Sequence, residues 1–297
     1  MIIATHDGTF HADDVCAVAL LLRIYPDAVV IRTRDKDQLK TAHIRVDVGM
    51  KHEPPTDFDH HQSDFNLYRP SGVPYAACGL VALHFKDILF PSLEVWEKLD
   101  SSIFATVDAQ DNGLETAKAI NGFALFDLSK IIASFRPAAR YTRWLQRADI
   151  AVVYHDAFMD AVSMAQGLIS REIRRTQAWL LDQDGVGKLV EQQQDSPVIV
   201  MPFYAPWQEQ VVLHAPHAEV IVFPDERSES WVAQTVPDKI GGPSPPLFPA
   251  HWAGKRDEEL VEISGIESAV FCHRSQFLCV ASTKEGALEM ADRAISN

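Results

Sequence analysis

The chain has no apolar stretch approaching the roughly 20 residues that a membrane-spanning helix needs, and no basic, signal-like leader precedes its first apolar run at Met1 to Ala4. The expectation is a soluble protein of the cytoplasm without a membrane partner. Basic charge is scarce: 27 lysines and arginines against 41 acidic residues leave a net charge of −14. That argues against a broad positive surface holding long duplex nucleic acid by counterion release. A polyanionic substrate stays open, because bound divalent cations reverse a local field. Cysteines are few, and Cys16, Cys78, Cys272 and Cys279 show no short metal-type spacing except in the last pair, whose members fall in separate β-like runs. All four are expected to be reduced and mostly buried. There is no glycine-rich dinucleotide loop after the first strand and no serine on a glycine elbow, and Cys16 sits in an apolar helix. Hydrolysis through a protein nucleophile is therefore not expected.

What is present begins in the first fourteen residues. Met1 to Ala4 reads as a short buried strand, Thr5 and His6 open a polar loop, and an apolar helix runs from Val15 to Ile24, with Asp13 or Asp14 able to cap it. A loop at the carboxyl end of a first strand is where open α/β sheets receive ligands. Two imidazoles and three carboxylates within nine residues there suit Zn, Mn or Fe. Two further strands, Ala28 to Thr33 and Ile44 to Val48, flank a polar connection from Arg34 to Thr41. This α/β rhythm implies a parallel sheet. Asp47 lies among β-branched neighbours, where a carboxylate needs either an arginine or a metal, and Gly49 lets the backbone turn away behind it.

The strongest local signal is Asp57-Phe-Asp59-His60-His61-Gln62. Adjacent side chains cannot share one direction, so one imidazole can bind metal while the other faces the reacting group, with Asp59 fixing a ring tautomer. Helical stretches follow at Ala76 to Phe90 and Val95 to Asp111, the second ending in Asp108-Ala-Gln-Asp111-Asn-Gly113. Carboxylates at a helix C-terminus oppose its dipole and call for a compensating cation. Further on, Ala138 to Arg147 reads as a short basic helix and Asp156 to Gln194 as a long one broken near Gly185 and Gly187. Beyond Pro197 strands are expected at Val198 to Phe203, Val211 to Leu213, Glu219 to Phe223 and Trp231 to Thr235. A proline-rich loop, a short helix, two strands and a last helix from Lys284 complete an α+β pattern.

His6, His11-Ala-Asp13, Val46-Asp47-Val-Gly49, Asp59-His60-His61 and Val107-Asp108-Ala-Gln-Asp111 together resemble the ordered motifs of the DHH phosphoesterase superfamily. Within it the chain most resembles the Myg branch, the melanocyte proliferating gene family. The likeness continues through Gly72-Val-Pro-Tyr-Ala-Ala-Cys-Gly79, Trp252-Ala-Gly254-Lys-Arg256-Asp257 and Thr283-Lys-Glu285-Gly286, and so spans nearly the whole chain. It implies an α/β fold: a DHH-type catalytic domain over residues 1–190, with a parallel sheet and flanking helices, joined by a helical linker to a smaller α+β substrate-binding domain over 191–297.

The resemblance also implies two divalent metal ions, usually Mn, with Mg, Zn or Fe as alternatives. His6, His11 and Asp47 would hold one ion, and Asp13, Asp47, His60 and Asp108 the other. His61, oriented by Asp59, would act on the phosphoryl group, and Arg256, His273 and Arg274 are candidate substrate contacts. Two metals sharing a water fit phosphodiester hydrolysis. The function implied is a hydrolase, a 3′–5′ exonuclease acting on RNA or short oligonucleotides. A small phosphoester is the alternative substrate, and a metal-binding regulatory module the alternative function. The latter gains weight from Gln276 and Cys279-Val280, which stand where many relatives have glycines.

Overall fold

The computed structural model describes every residue except 119, 120, 124 and 297. It resolves into two compact units, Met1–Gln177 and Ala178–Asn297. Among the described residues no helix is long and apolar enough to cross a membrane.

In the first unit, β1 (Ile2–Thr5) leads through His6 to Phe10 into α1 (Ala12–Ile24), followed by β2 (Val29–Arg32), α2 (Lys36–Thr41), β3 (Ile44–Val46) and the hairpin of β4 (His52–Glu53) and β5 (Asp57–Phe58). The sheet order is β2-β1-β3-β5-β4, and all pairings are parallel except that of β4 with β5. Parallel pairing brings the carboxyl ends of β1, β3 and β5 to one edge. His6, Asp47 and Asp59 each follow one of those ends. The order reverses at β1, between β2 and β3, which opens a crevice beyond the strand ends.

Helices α3 (Ala77–His84), α4 (Lys86–Leu89) and α5 (Leu93–Leu99) follow, then a π-helical turn over Asp100–Phe104 and α6 (Ala105–Asp111). Helix α1 is apolar on nearly all sides because it is enclosed, with Val15, Cys16, Val18, Leu20 and Leu21 fully buried. It packs on α3, α6 and α7 (Leu128–Ala133). After α8 (Ala139–Thr142), α9 runs unbroken over Arg147–Glu191 and crosses the division between the units. The four cysteines are free and buried.

The second unit holds β6 (Val198–Val200), α10 (Gln208–His214), β7 (Val220–Pro224), β8 (Trp231–Thr235), α11 (Asp257–Ser264), β9 (Ala269–Cys272), β10 (Leu278–Ala281) and α12 (Lys284–Ile295). Its sheet runs β6-β7-β8-β10-β9 and is antiparallel except for β6 with β7. Val220, Val222, Ala233 and Cys279 pack with Leu260 of α11 and Met290 of α12 in one core. Ile221, Phe223 and Met201 pack with Val186, Val190 and Val211 in another.

Three of the differences from the sequence expectation have a clear local cause. The connection from Arg34 to Thr41 contains α2, started by Asp35, whose side chain accepts from the Asp37 and Gln38 N–H groups; too short and polar to show apolar periodicity, it is marked only by that cap. Val211 to Leu213 is helical. The informative pattern there is Trp207, Val211 and Ala215, buried at four-residue spacing, rather than the β-branched run. Helix α9 does not break at Gly185 and Gly187. A Cβ on Gly187 would lie 3.2 Å from Gln210 Oε1, so glycine admits a close neighbour while the helix is held by buried Val186 and Val190.

Gln276, in the turn between β9 and β10, has a left-handed backbone with φ 57°. A side chain there crowds the following carbonyl, and glycine relieves it. Gln276→Gly is expected to stabilise the second unit by about 0.5–1 kcal/mol. Urea denaturation would register this as a higher midpoint at unchanged slope; a lower midpoint would show that the turn is not strained.

Candidate metal centre

Asp47 stands at the middle of the crevice. Its backbone is left-handed (φ 51°), a conformation aspartate tolerates better than most residues, and Gly49 (φ 103°) and Met50 (φ 57°) continue the turn away from β3. The carboxylate is thereby aimed across the strand ends. Asp47 Oδ2 lies 3.3 Å from His6 Nε2, while Oδ1 lies 3.6 Å from His60 Nε2 and 3.3 Å from His61 Nδ1. His6 Nε2 also meets Asp14 Oδ2 at 3.2 Å, and His60 Nε2 meets Asp111 Oδ2 at 3.2 Å.

The remaining carboxylates are held by backbone N–H groups. Asp13 is fully buried at the start of α1, and its two oxygens accept from Ala77 (3.0 Å) and Cys78 (2.6 Å) at the opening of α3. The positive end of α3 thus meets a negative group. Asp14 Oδ1 accepts from the His11 and Val15 N–H groups. Asp59 is almost wholly buried; Oδ2 accepts from Met50 N–H (2.6 Å), and Oδ1 from His60 N–H (2.8 Å) and His61 N–H (3.1 Å). His61 Nδ1 lies 2.8 Å from the same Oδ1, and the His61 side chain is 54% exposed.

Asp108 has a different neighbourhood. One oxygen accepts from Gly79 N–H at 3.0 Å; the other meets Arg69 Nη1 at 2.8 Å. Arg69 is itself buried, lies 4.0 Å over the Tyr75 ring, and donates to Asp100 on the π-helical turn. A Cβ on Gly79 would sit 1.8 Å from Asp108 Oδ2, so only glycine fits at that position without displacing the carboxylate.

Charge follows geometry. Burial alone would depress the His6 and His60 imidazoles, but Asp14 with Asp47 holds His6 up at about 9, and Asp111 with Asp47 holds His60 at about 10. Burial works against ionised Asp47, yet His6 and His60 bring it well below the usual carboxylate range. Burial and the neighbouring Asp111, Asp47 and Asp108 push Asp13 far up. Burial lifts Asp108 to about 6 against the opposing pull of Arg69. The hydrogen bond with Asp59 raises His61.

Among the described residues three groups could hold a metal: His6, Asp14 and Asp47; Asp13, His60 and Asp111; and Asp47, His60 and His61. Asp14 Oδ2, Asp47 Oδ1 and His60 Nε2 are buried without a hydrogen-bond partner. The spacings of 3.2 and 3.3 Å about His6 and of 3.2 Å between His60 and Asp111 match N and O donors around a shared ion, since bonds of roughly 2.1 Å set donors about 3.0–3.4 Å apart. The residues therefore fit divalent cations.

Of the six candidate ligands, His6, Asp13, Asp47 and His60 converge. His11 caps α1 with an exposed side chain, its ring 6.2 Å from that of His6, outside the three groups. Asp108 faces Arg69 instead of the cluster. Asp14 and Asp111 are the further carboxylates that complete two of the three groups. Asp14 was legible as the second acid of the pair opening α1, and Asp111 as the residue one turn beyond Asp108; Arg69 carried no local signal. Arg256, His273 and Arg274 lie in the second unit. Arg256 precedes α11 and bridges to Phe271, while His273 and Arg274 begin the turn after β9.

Comparison with known proteins places this chain in a family. The family model MYG1_exonuc, described as Uncharacterised protein family (UPF0160), matches residues 2–295. The chain belongs to this family. It is 30% identical to MYG1 protein C694.04c of Schizosaccharomyces pombe, over 99% of this chain and 97% of that protein. It is also 30% identical to the MYG1 exonuclease of Homo sapiens, over 97% of this chain and 84% of that protein. Among solved structures it is similar to RecJ in complex with Mn2+ from Thermus thermophilus, with a TM-score of 0.29 and 11% identity, over 100% of this chain and 52% of that one.

Two outcomes follow from the cluster. In metal-free protein, folding raises the His6 and His60 values above the ordinary 6.5 to about 9 and 10, so their stabilisation is complete below about pH 6.5 and is lost as pH climbs through 9 to 10. Denaturation of chelated protein across that window should show the decline; a flat profile would mean these imidazoles are not paired. Asp14→Asn keeps an oxygen for the His11 and Val15 N–H groups but removes an anionic donor, and should weaken metal uptake at least tenfold, whereas His11→Ala should leave it nearly unchanged. Calorimetric titration with Mn2+ decides, and the reverse result would exchange the roles of Asp14 and His11.

Proposed function

We propose that the chain is a metal-dependent phosphoesterase that hydrolyses phosphodiester bonds from the 3′ end of RNA or a short oligonucleotide. The observation that carries this reading is the buried Asp47 carboxylate, shared between His6 on one side and His60 and His61 on the other. Family membership and relatives named exonucleases support the reaction class. The donors are a mixture of imidazoles and carboxylates, a set suited to manganese and related divalent cations. Bound cations supply charge neutralisation and Lewis acidity to phosphoester hydrolysis. His6, Asp14 and Asp47 would hold one ion, and Asp13, His60 and Asp111 another.

The chain's own groups then orient and bind. Asp59 is fixed by three backbone N–H groups and holds His61 through Nδ1, which leaves Nε2 for a phosphoryl oxygen as negative charge develops there. The raised His61 value favours the protonated, donating form. A cavity of about 990 Å3 adjoins His6, Asp47 and His61 and is lined by Arg34, Lys36, Lys40 and Lys51, cations suited to further phosphates. Arg256, His273 and Arg274 are proposed as additional phosphate contacts from the second unit.

Manganese-loaded protein is expected to release mononucleotides from short RNA faster than it attacks DNA, nucleoside bisphosphates or cyclic dinucleotides. His61→Ala should keep its metal and lose roughly 10²–10³ in kcat, while His60→Ala should lose metal affinity and rate together. Steady-state kinetics with calorimetric metal titration on both variants would check this. If neither change lowers the rate, the hydrolase reading fails and a metal-binding module takes its place; preference for a bisphosphate would replace the substrate alone.

A further inference from the structure

The stretch Arg136-Pro-Ala-Ala-Arg140-Tyr141-Thr142-Arg143-Trp144-Leu-Gln-Arg147 holds four arginines and no acidic residue, in a chain whose net charge is −14. From Arg140 to Arg147 only Thr142 is buried. Trp144 is 84% exposed and Tyr141 78%, so two large rings face solvent among guanidinium groups. Some other surface arginines are ion-paired, as Arg34 is with Asp7 and Arg175 with Glu172. Among the described residues Arg140, Arg143 and Arg147 have no such pair.

Arg136 anchors the start of this stretch in the opposite direction. Its Nε donates to the Phe10 carbonyl at 2.8 Å, and its guanidinium lies 5.9 Å from the buried Phe10 ring. Phe10 belongs to the loop between His6 and His11, so the arginine-rich segment begins at the rim of the carboxylate–imidazole cluster. A positive patch on an acidic protein selects a polyanion. Exposed rings between cations add a second requirement, a ligand with accessible planar faces beside its phosphates. A single strand meets both, because its bases can splay onto aromatic side chains, whereas a duplex hides base faces in its stack.

We infer that Arg140, Tyr141, Arg143 and Trp144 form a landing platform for single-stranded nucleic acid, with Tyr141 and Trp144 stacking bases and the arginines taking phosphates. The platform rests on the phosphoesterase reading only in that the bound strand leads its end toward the cluster. It makes the preferred substrate a strand of several nucleotides and leaves the hydrolysis of a dinucleotide to the cluster itself.

The test uses manganese-loaded protein and fluorescence anisotropy with a uridine strand of about twelve nucleotides, within the range that single-strand sites cover, labelled at its 5′ end and blocked at its 3′ end. Trp144→Ala and Tyr141→Ala should each weaken binding roughly 5- to 100-fold, with Trp144→Phe restoring most of it. Arg140→Ser with Arg143→Ser should flatten the slope of log affinity against log salt by about 1.4. Dinucleotide kcat/KM should be unchanged in all four proteins, which separates this platform from the cluster. Unchanged strand affinity beside normal dinucleotide hydrolysis would overturn the platform and leave the phosphoesterase standing. Platform-dependent strand binding without hydrolysis of any phosphoester would support the platform and sink the enzyme. Equal affinity for a duplex of the same length, binding of anionic phosphatidylglycerol vesicles in place of the strand, or a Trp144-dependent dimer on gel filtration would each assign the surface to another partner and overturn the inference.

Discussion

Carboxylates kept out of water near one another repel and lose hydration, and the first unit gathers Asp13, Asp14, Asp47, Asp59 and Asp108 in buried positions. They are compensated by several devices. Asp59 takes backbone N–H groups and the His61 ring; Asp108 takes Arg69 and the Gly79 N–H; Asp13 takes the first N–H groups of α3; Asp14 and Asp47 share the His6 imidazole. What these devices leave over is a set of lone pairs on Asp14, Asp47, Asp111 and the imidazoles, all directed to one place. That donor set fits divalent cations.

The fold around the cluster follows from this constraint. Three parallel strands end at the same edge, which brings His6, Asp47 and Asp59 together there. Two helices, α1 and α3, present their N-terminal ends there, where free N–H groups favour negative charge. The close approach of α3 to Asp108 leaves no room for a side chain at position 79. Asp100, carried on the π-helical turn, completes the support by holding Arg69 against Asp108.

The cluster also has two sides of different character. Its inner side is closed by buried acids and the α3 backbone, while its outer side carries the exposed edge of His61 and a cavity lined with lysines and arginines. Arg136, just before α8, is tied to the loop at Phe10. Net charge alone describes neither side.

Sequence by itself indicated the α/β class and marked His6, Asp13, Asp47 and His60, because each sits at a local signal: a strand end, a helix start, or adjacent histidines. It also determined the pairing of Asp59 with His61, which needs only two residues of separation. Tertiary structure alone decided between near-identical neighbours. Asp13 and Asp14 adjoin in the chain, as Asp108 and Asp111 lie one helical turn apart, and nothing local says which oxygen faces the crevice. Helix α3 settles the first pair by binding Asp13 through its N–H groups while Asp14 turns to His6. Arg69, far before Asp108 in the chain, settles the second by claiming that carboxylate and leaving His60 to Asp111. The same holds for Val211 to Leu213, where burial against Val186 and Val190 selected a helix over the strand that β-branched residues suggest. Contacts between residues far apart in sequence carry no periodicity, and only the folded chain expresses them.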